Sequence, residues 1–345
     1  MSEFLIEYGL FLAKTLTLVA GLLAVFAGLA GALRAARASQ TQDHLEIRHL
    51  NARYRELADQ LEAELLDSEQ LKQRRKARRQ QDKERRKREK QGAPTRPRVF
   101  TLQFKGDLHA HAVESLREEV SALLQVSQPH DEVLVRLESE GGLVHAYGLA
   151  ASQLARIRAR QLKLTVAVDK VAASGGYMMA CVADRILAAP FAVLGSIGVV
   201  AQIPNFNRLL KRHDVDLELH TAGEYKRTLT LFGENTEAGR AKFREELQET
   251  HDLFKAFVAE HRPQLDLARV ATGEHWFGAR ALELKLVDHL QTSDDYLLQR
   301  LADADLYELR HRKHHRLGER LSQGLVQLGQ ALRRGAEDTL ARRWP

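Results

Sequence analysis

From Val99 to about residue 303, short apolar segments alternate with segments of helical periodicity. This alternation indicates an α/β domain, because strands joined by helices build a largely parallel sheet. It constrains the fold more than any other feature of the chain. The predicted strands are 99–104, 133–137, 162–168, 185–189 and 197–200, and the predicted helices are 112–126, 145–160, 174–183 and 235–262.

An uncharged run of nineteen residues, 15–33, precedes this domain. As a helix it spans roughly 28 Å, close to the hydrocarbon thickness of a bilayer. A cleaved signal peptide is one alternative, since residues 36–38 have a small-x-small form, but acidic residues stand where a signal peptide carries basic ones. A buried core helix is another. We predict a short tail over 1–8 and an uncleaved membrane anchor over 9–33.

Residues 34–98 are predicted to form a basic helical linker. Leucines recur in it with roughly helical spacing, and no Gly or Pro occurs before Gly92. Residues 71–90 hold twelve Lys and Arg against three Asp and Glu, whereas the whole chain has a net charge of only +6. No aromatic residue stands among these charges to stack on a base, so a solvated helix or contact with anionic lipid is favoured over nucleic acid.

The cysteine and histidine pattern does not indicate a metal site. Cys181 is the only cysteine, which excludes an intrachain disulfide and a cysteine-based zinc site. His311, His314 and His315 lie in a basic, leucine-bearing segment, residues 304–345, and we interpret them as part of a charged surface. We predict a peripheral helix for this segment and no bound metal ion.

Ser174 follows a predicted strand and opens a predicted helix, which is a favourable position for a nucleophile. The N-terminus of a helix offers free N–H groups and the positive end of the helix dipole. The N–H groups of Gly175 and of the Gly141-Gly142 turn are able to converge there on an oxyanion. The alternative is an ordinary N-cap serine with ordinary glycine turns. Three motifs carry these glycines: ESEGG at 138–142, AASGGY at 172–177 and GSIGV at 195–199.

A serine nucleophile needs a base to accept its proton. Of the fifteen histidines, only His145 is expected near the C-terminal ends of the strands, and it leaves Ser-His-Asp chemistry open. Lys226 is the other candidate, because it stands among small and apolar residues and next to Arg227. A lysine is a base only in its neutral form, which burial or a nearby positive charge favours. The alternative is an exposed loop lysine without a catalytic role.

The motifs resemble the signal peptide peptidase A family of serine peptidases, over residues 99–300. The resemblance implies a ClpP/crotonase-like stack of β-β-α units for the predicted peptidase domain, 99–303. The anchor and the basic linker also match the layout of a membrane member of this family. The matching motifs are ESEGGLVHAYGLAASQL, VDKVAASGGYMMACVADRI, LGSIGVVAQ, GEYKRTLTLFGENTEAGR and HWFGARALELKLVDHL.

The resemblance implies a role for each of five residues. Ser174 matches the nucleophile and Lys226 the general base, and Ser196 matches the serine that orients the lysine by a hydrogen bond. The N–H groups of Gly142 and Gly175 match the oxyanion donors. The implied activity is hydrolysis of peptide bonds in signal-peptide remnants or in misfolded membrane and envelope proteins, without a metal or an organic cofactor.

The resemblance also implies a homo-oligomeric ring, in which the serine and the lysine can come from neighbouring subunits. The implied location is the plasma (inner) membrane, reached through the anchor at 9–33. The resemblance places the peptidase domain on the periplasmic side, which we expect. The positive-inside rule instead favours the cytoplasm for the basic segment 71–90 and for the domain that follows it.

Glu140 departs from the family pattern, because the loop usually has a proline at this position. Proline presets a turn, so its replacement loosens the oxyanion loop or places an acid near the substrate. Two rival functions stay open. An enzyme acting on a CoA thioester would use the oxyanion N–H groups without Ser174, and a non-enzymatic membrane scaffold would use the same fold to bind peptides or partner proteins.

Overall fold

The structure is a computed structural model in which Leu45–His311 form one compact unit. The predicted domain boundaries after residues 98 and 303 fall inside this unit, and the domain limits stay predictions. The structure describes residues 9–23, 26, 28, 43–91 and 96–312.

The described part of the chain alternates strands with helices, and this confirms the predicted α/β class. The strands are β1 (His44–His49), β2 (Arg98–Lys105), β3 (Glu132–Glu138), β4 (Lys163–Val168), β5 (Val171–Ala173), β6 (Arg185–Ala188), β7 (Val193–Gly195), β8 (His275–Phe277), β9 (His289–Leu290) and β10 (Asp305–Arg312). The helices are α1 (Leu50–Leu65), α2 (Ser68–Lys90), α3 (Val113–Val126), α4 (Val144–Ala159), α5 (Gly175–Ala180), α6 (Asn207–Arg212), α7 (Glu237–His261), α8 (Leu267–Val270), α9 (Gly278–Glu283) and α10 (Ser293–Arg300).

The predicted membrane anchor, 9–33, is described only in part. Residues 9–23 are helical and exposed, whereas most of the second half of the anchor lies outside the described residues. Among the helices that the structure does describe, none has both the length and the apolar character needed to cross a bilayer.

The main sheet has seven strands in the order β1-β10-β2-β3-β4-β6-β9. From β10 to β9 every neighbouring pair runs parallel. Both faces of its centre are buried, as is usual for a parallel sheet. In β3, Val133 and Val135 belong to the larger apolar core, whereas Leu134 between them belongs to the smaller core with residues of α1 and α10.

A smaller sheet places the loops that form the candidate site. In it β5 pairs parallel with β7, and β7 pairs antiparallel with β8. Ser139, just after β3, forms a parallel bridge with Ala172 of β5. The loop after β3 therefore lies beside the turn that joins β5 to α5. The C-terminal ends of parallel strands are where α/β proteins usually bind their ligands.

The predicted strand at 197–200 is wrong. Strand β7 lies earlier in the chain and ends at Gly195. The backbone does not stay extended beyond this point, because Gly195 and Ser196 have positive φ values of 97° and 52°. The turn that results sends the following residues toward the candidate site instead of continuing the sheet.

The continuous helix predicted over residues 34–91 of the linker is interrupted. Its described part contains β1 and then two helices, which are separated at Leu66, a residue with an extended backbone. Asp67 explains the break, because its carboxylate accepts hydrogen bonds from the backbone N–H groups of Glu69 (2.9 Å) and Gln70 (2.8 Å). These bonds satisfy free donors at the start of α2 and cap it.

The predicted helical tail, 304–345, is wrong at its start, where the chain forms β10. This strand lies between β1 and β2, and Leu306 and Leu309 on it are buried. The side-chain oxygen of Asn51 accepts a hydrogen bond from the Leu306 N–H at 2.6 Å. Pairing with β1 and β2 on both edges therefore makes this stretch a strand and not a helix. Residues 313–345 lie outside the described residues.

Candidate active site

Ser174 lies in the sharp turn between β5 and α5. Its φ of 51° and ψ of −119° are uncommon for a residue with a side chain, and such strain persists only where the surrounding structure enforces it. The Ser174 N–H donates to the Gly195 carbonyl at 2.8 Å, and the Met178 N–H donates to the Ser174 carbonyl at 3.0 Å. Contacts from β7 and from α5 thus fix the backbone that presents the hydroxyl group.

Ser174 lines a cleft of about 720 Å³. One wall of the cleft is formed by the loops after β2 and β3, and the other includes the segment after β7. Apolar side chains occupy both walls, so the cleft suits apolar side chains of a ligand. These side chains are Leu108, Leu143, Val144, Val199 and Val200.

Two backbone N–H groups near Ser174 have no partner in the described part of the chain, one in the cleft lining and one in the residue directly after the serine. The N–H groups of Gly142 and Gly175 have no hydrogen-bond acceptor among the described residues. The backbone of Gly141 lies close to both Ser174 and Gly175. A Cβ on Gly141 would lie 2.7 Å from the Ser174 Cβ and 2.8 Å from the Gly175 nitrogen. Because Gly141 also has a φ of 96°, only glycine fits this close approach. This geometry suits an oxyanion hole.

A buried chain of hydrogen bonds supports the loop that carries Gly141. The Gly141 N–H donates to the Ser139 hydroxyl at 3.1 Å, and the hydroxyls of Ser139 and Tyr147 are 2.6 Å apart. The Tyr147 hydroxyl donates to the Asp107 carbonyl at 2.8 Å. Since Tyr147 uses its proton on Asp107, Ser139 donates to Tyr147 and accepts from Gly141. Burial raises the pKa of Tyr147 and keeps the phenol protonated as this donor.

Tyr147 also supports the second free amide. A Cβ on Gly175 would lie only 2.4 Å from Cγ of the Tyr147 ring, so the ring packs directly against the start of α5. On the other side of the loop, the Leu143 N–H donates to the Leu108 carbonyl at 2.9 Å. One fully buried tyrosine therefore holds the loop of Gly142 and the backbone of Gly175 in a fixed relation.

Replacing Tyr147 by phenylalanine tests this supporting role. For the peptide hydrolysis that the motif resemblance implies, we expect kcat to fall about tenfold and KM to change little, because the loop loses its anchor on Asp107 while the aromatic packing stays. The free energy of unfolding is expected to fall by about 1 kcal/mol. Steady-state kinetics and urea denaturation measure the two effects.

The matched control is Tyr296→Phe. The Tyr296 hydroxyl is also buried, and it bonds to the Glu132 carboxylate in the smaller core, away from the cleft. This variant is expected to lose stability and to keep its kcat. An equal loss of kcat in both variants would show that Tyr147 acts on activity only through global stability.

Ser196 and Lys226 occupy different surroundings. Ser196 lines the cleft with Ser174, and its N–H donates to the Glu274 carbonyl at 2.6 Å. Lys226 is exposed, is not among the residues that line the cleft, and forms no side-chain hydrogen bond or ion pair with the described residues. Within one chain the structure thus brings Ser174, Ser196 and Gly142 together and leaves Lys226 outside.

Lys226 belongs to a mostly exposed segment, 200–232, that is rich in apolar side chains. Val200 is 91% exposed, and Phe206 and Leu209 are 43% and 51% exposed. A monomeric protein rarely leaves so many large apolar side chains of one segment in water. The segment therefore has the character of an interaction surface.

Two histidines have a bearing on the choice of base. His145 is exposed and does not line the cleft. His251 on α7 does line it, and its Nε2 is buried without a hydrogen-bond partner among the described residues. Sequence reasoning missed His251, because a single histidine within a long amphipathic helix carries no signal of its position.

The described residues contain no group of three or more His, Cys, Asp or Glu side chains arranged to hold a metal ion. Cys181 is buried, and burial raises the pKa of its thiol, so it is neither a nucleophile nor a metal ligand in this structure. The polar side chains that line the cleft are the hydroxyls of Ser174, Ser196 and Thr272, the imidazole of His251 and the carboxylate of Glu140.

Known proteins resemble this chain over most of its length. The sequence profile described as Peptidase family S49 N-terminal matches residues 3–154, and that described as Peptidase family S49 matches residues 156–306. A probable protease SohB from Haemophilus influenzae is 51% identical over 320 residues, which are 90% of each chain. A probable protease SohB from Buchnera aphidicola is 48% identical over 306 residues, which are 86% of this chain and 100% of the relative.

Among solved structures, a membrane-bound stomatin-specific protease in complex with a substrate peptide aligns with 68% of this chain and 100% of its own, at 12% identity and a TM-score of 0.41. The sequence matches define the class, and the protein is a protease. It belongs to peptidase family S49, and this confirms the resemblance found in its motifs.

Proposed function

We propose that the protein is a serine endopeptidase with a Ser/Lys dyad. Ser174 is the nucleophile and Lys226 the general base, and Ser196 orients the lysine. The N–H groups of Gly142 and Gly175 bind the oxyanion. The observation that carries the proposal is the strained turn at Ser174, which holds a hydroxyl beside two amides that have no acceptor of their own.

The mechanism follows from these positions. Neutral Lys226 accepts the proton of Ser174 as its oxygen attacks a peptide carbonyl, and the two amides stabilise the negative charge on the carbonyl oxygen. The lysine ammonium then protonates the leaving amine. Water, deprotonated by the same lysine, hydrolyses the acyl-enzyme and restores the serine.

The lysine is proposed to come from a neighbouring copy of the chain. Lys226 does not line the cleft of its own chain, and it lies on the exposed apolar segment 200–232, which an oligomer would bury. A ring of subunits would bring this segment to the cleft of the next copy. The active site would then be complete only in the oligomer.

Substrates are proposed to be apolar peptides from signal-peptide remnants or misfolded membrane and envelope proteins, since apolar side chains line both cleft walls. We propose that residues 9–33 anchor the protein in the plasma (inner) membrane, with the peptidase domain on the periplasmic side. The basic segment 71–90 favours the opposite orientation. A topology reporter fused after residue 312 decides between the two.

The test of the function is hydrolysis of a fluorogenic apolar peptide at a series of pH values. Only the neutral amine accepts a proton, so the rate is expected to rise from about pH 6 to 9, by up to tenfold per pH unit while the ammonium form predominates. Circular dichroism over the same range controls for unfolding. A flat profile would contradict a lysine base.

A scaffold that binds peptides without cleaving them is the second candidate, because Lys226 does not line the cleft in a single chain. An acylating serine probe distinguishes the two. Labelling of Ser174, located by mass spectrometry, supports the peptidase. Absence of both labelling and hydrolysis in the oligomeric protein supports the scaffold.

A further inference from the structure

Glu140 brings a negative charge to the cleft beside the oxyanion loop. It lies between β3 and the Gly141-Gly142 turn, it is exposed, and it lines the cleft. Its carboxylate forms no hydrogen bond or ion pair with the described residues. Nearby Glu138 differs, because Lys105 (3.3 Å) and Lys170 (3.2 Å) both pair with it.

The residues around Glu140 in the cleft lining are mostly apolar or uncharged. Five apolar side chains form the walls, and Glu140 is the only carboxylate among the described residues that line the cleft. His251 is the only other lining residue with a titratable side chain. An unpaired carboxylate near an apolar wall attracts a cation more strongly than one in open water, since the surroundings screen it less.

The same charge opposes catalysis on a neutral substrate. Glu140 and Gly142 are two residues apart, so their Cα atoms are separated by at most about 7 Å. If the Gly142 N–H binds the oxyanion, the carboxylate stands close to the negative charge that develops in the transition state and repels it. A cation held against Glu140 removes this repulsion.

We propose that Glu140 makes the enzyme selective for peptides that carry a lysine or arginine side chain next to the apolar residues in the cleft. This inference rests on the proposed peptidase function. The basic side chain pairs with Glu140, and this pairing strengthens binding of the peptide. It also neutralises the negative charge that would otherwise repel the oxyanion. Selectivity therefore appears in kcat as well as in KM.

The experiment compares peptide pairs that differ only in one lysine and its neutral acetyl-lysine counterpart, with the lysine moved stepwise across the scissile bond. At the favoured position we expect wild-type kcat/KM to be about tenfold higher for lysine, and less so at high salt. In Glu140→Gln the lysine peptide is expected to be cleaved more slowly and the neutral peptide faster, so that the ratio approaches one.

Glu138→Gln is the matched control, because it removes a carboxylate that is already paired and does not line the cleft. It is expected to keep the wild-type ratio. Glu140→Lys extends the test, since it is expected to prefer a glutamate peptide over its glutamine counterpart. Loss of all activity in Glu140→Gln would overturn the inference, because the carboxylate would then be needed for the reaction itself.

The outcomes separate this inference from the function on which it rests. If the wild type cleaves lysine and acetyl-lysine peptides equally at every position, the inference fails and the peptidase stands. If the wild type cleaves none of the peptides and no serine probe labels it, the proposed function fails. In Glu140→Gln, slower cleavage of the lysine peptide together with faster cleavage of the neutral peptide supports the inference. A purely structural role of Glu140 would change both rates in the same direction.

Discussion

Replacing Ser174 by alanine is expected to lower peptide hydrolysis by about 10⁴-fold or more, to the level of the uncatalysed background. In the proposed mechanism the serine oxygen forms the acyl-enzyme, and no cysteine is among the described residues that line the cleft. Initial rates on a fluorogenic apolar peptide and labelling by an acylating probe measure the effect.

The variant is expected to fold and to oligomerise as the wild type does. Alanine adopts the same backbone angles as serine, and the bonds that hold the turn, such as that from the Ser174 N–H to Gly195, come from the backbone. Ser152→Ala is a suitable control, because this hydroxyl is exposed on α4 and bonds only within its own helix. Full peptide hydrolysis by Ser174→Ala would show that Ser174 is not the nucleophile. Turnover of a CoA thioester by both the wild type and Ser174→Ala, without peptide hydrolysis, would favour the thioester enzyme.

Strands and helices whose own residues carry a clear local pattern could be predicted from the sequence. Strands β2, β3, β4 and β6 are short apolar runs next to turns, and their burial in a parallel sheet follows from this composition. Strand β10 was missed, because its polar sequence forms a strand only through pairing with distant residues of β1 and β2. The false strand at 197–200 had the apolar pattern but not the backbone, which turns at Ser196.

The residues of the candidate site also fall into those that the sequence identified and those that it did not. Ser174, Gly142 and Ser196 were identified from motifs, and the structure places all three at one cleft. Tyr147 was missed, since an aromatic residue at helical spacing is normally read as core, and its hydrogen bonds to Ser139 and Asp107 depend on the folded loops. Motifs identify residues that act on the substrate more readily than those that hold them.

The position of Lys226 leads to a second prediction with a large effect: two variants that are inactive alone recover activity when they are mixed. Lys226→Met and Ser174→Ala are each expected to be inactive, because the first lacks the proposed base and the second lacks the proposed nucleophile. If neighbouring copies share the dyad, a mixed oligomer contains sites where the serine of a Lys226→Met subunit meets the lysine of a Ser174→Ala subunit. Mixing the two variants therefore restores activity.

The extent of the recovery can be calculated. In an equal and random mixture, each site has an intact serine in half of the cases and an intact lysine in half, so activity reaches about one quarter of wild type. Co-expression, or dissociation and reassembly, produces the mixture, and the assay uses the same apolar peptide. Each variant assembled with itself is the control. If the mixture stays inactive while mass spectrometry shows mixed oligomers, the two residues act within one chain, and segment 200–232 must fold back over its own cleft during catalysis.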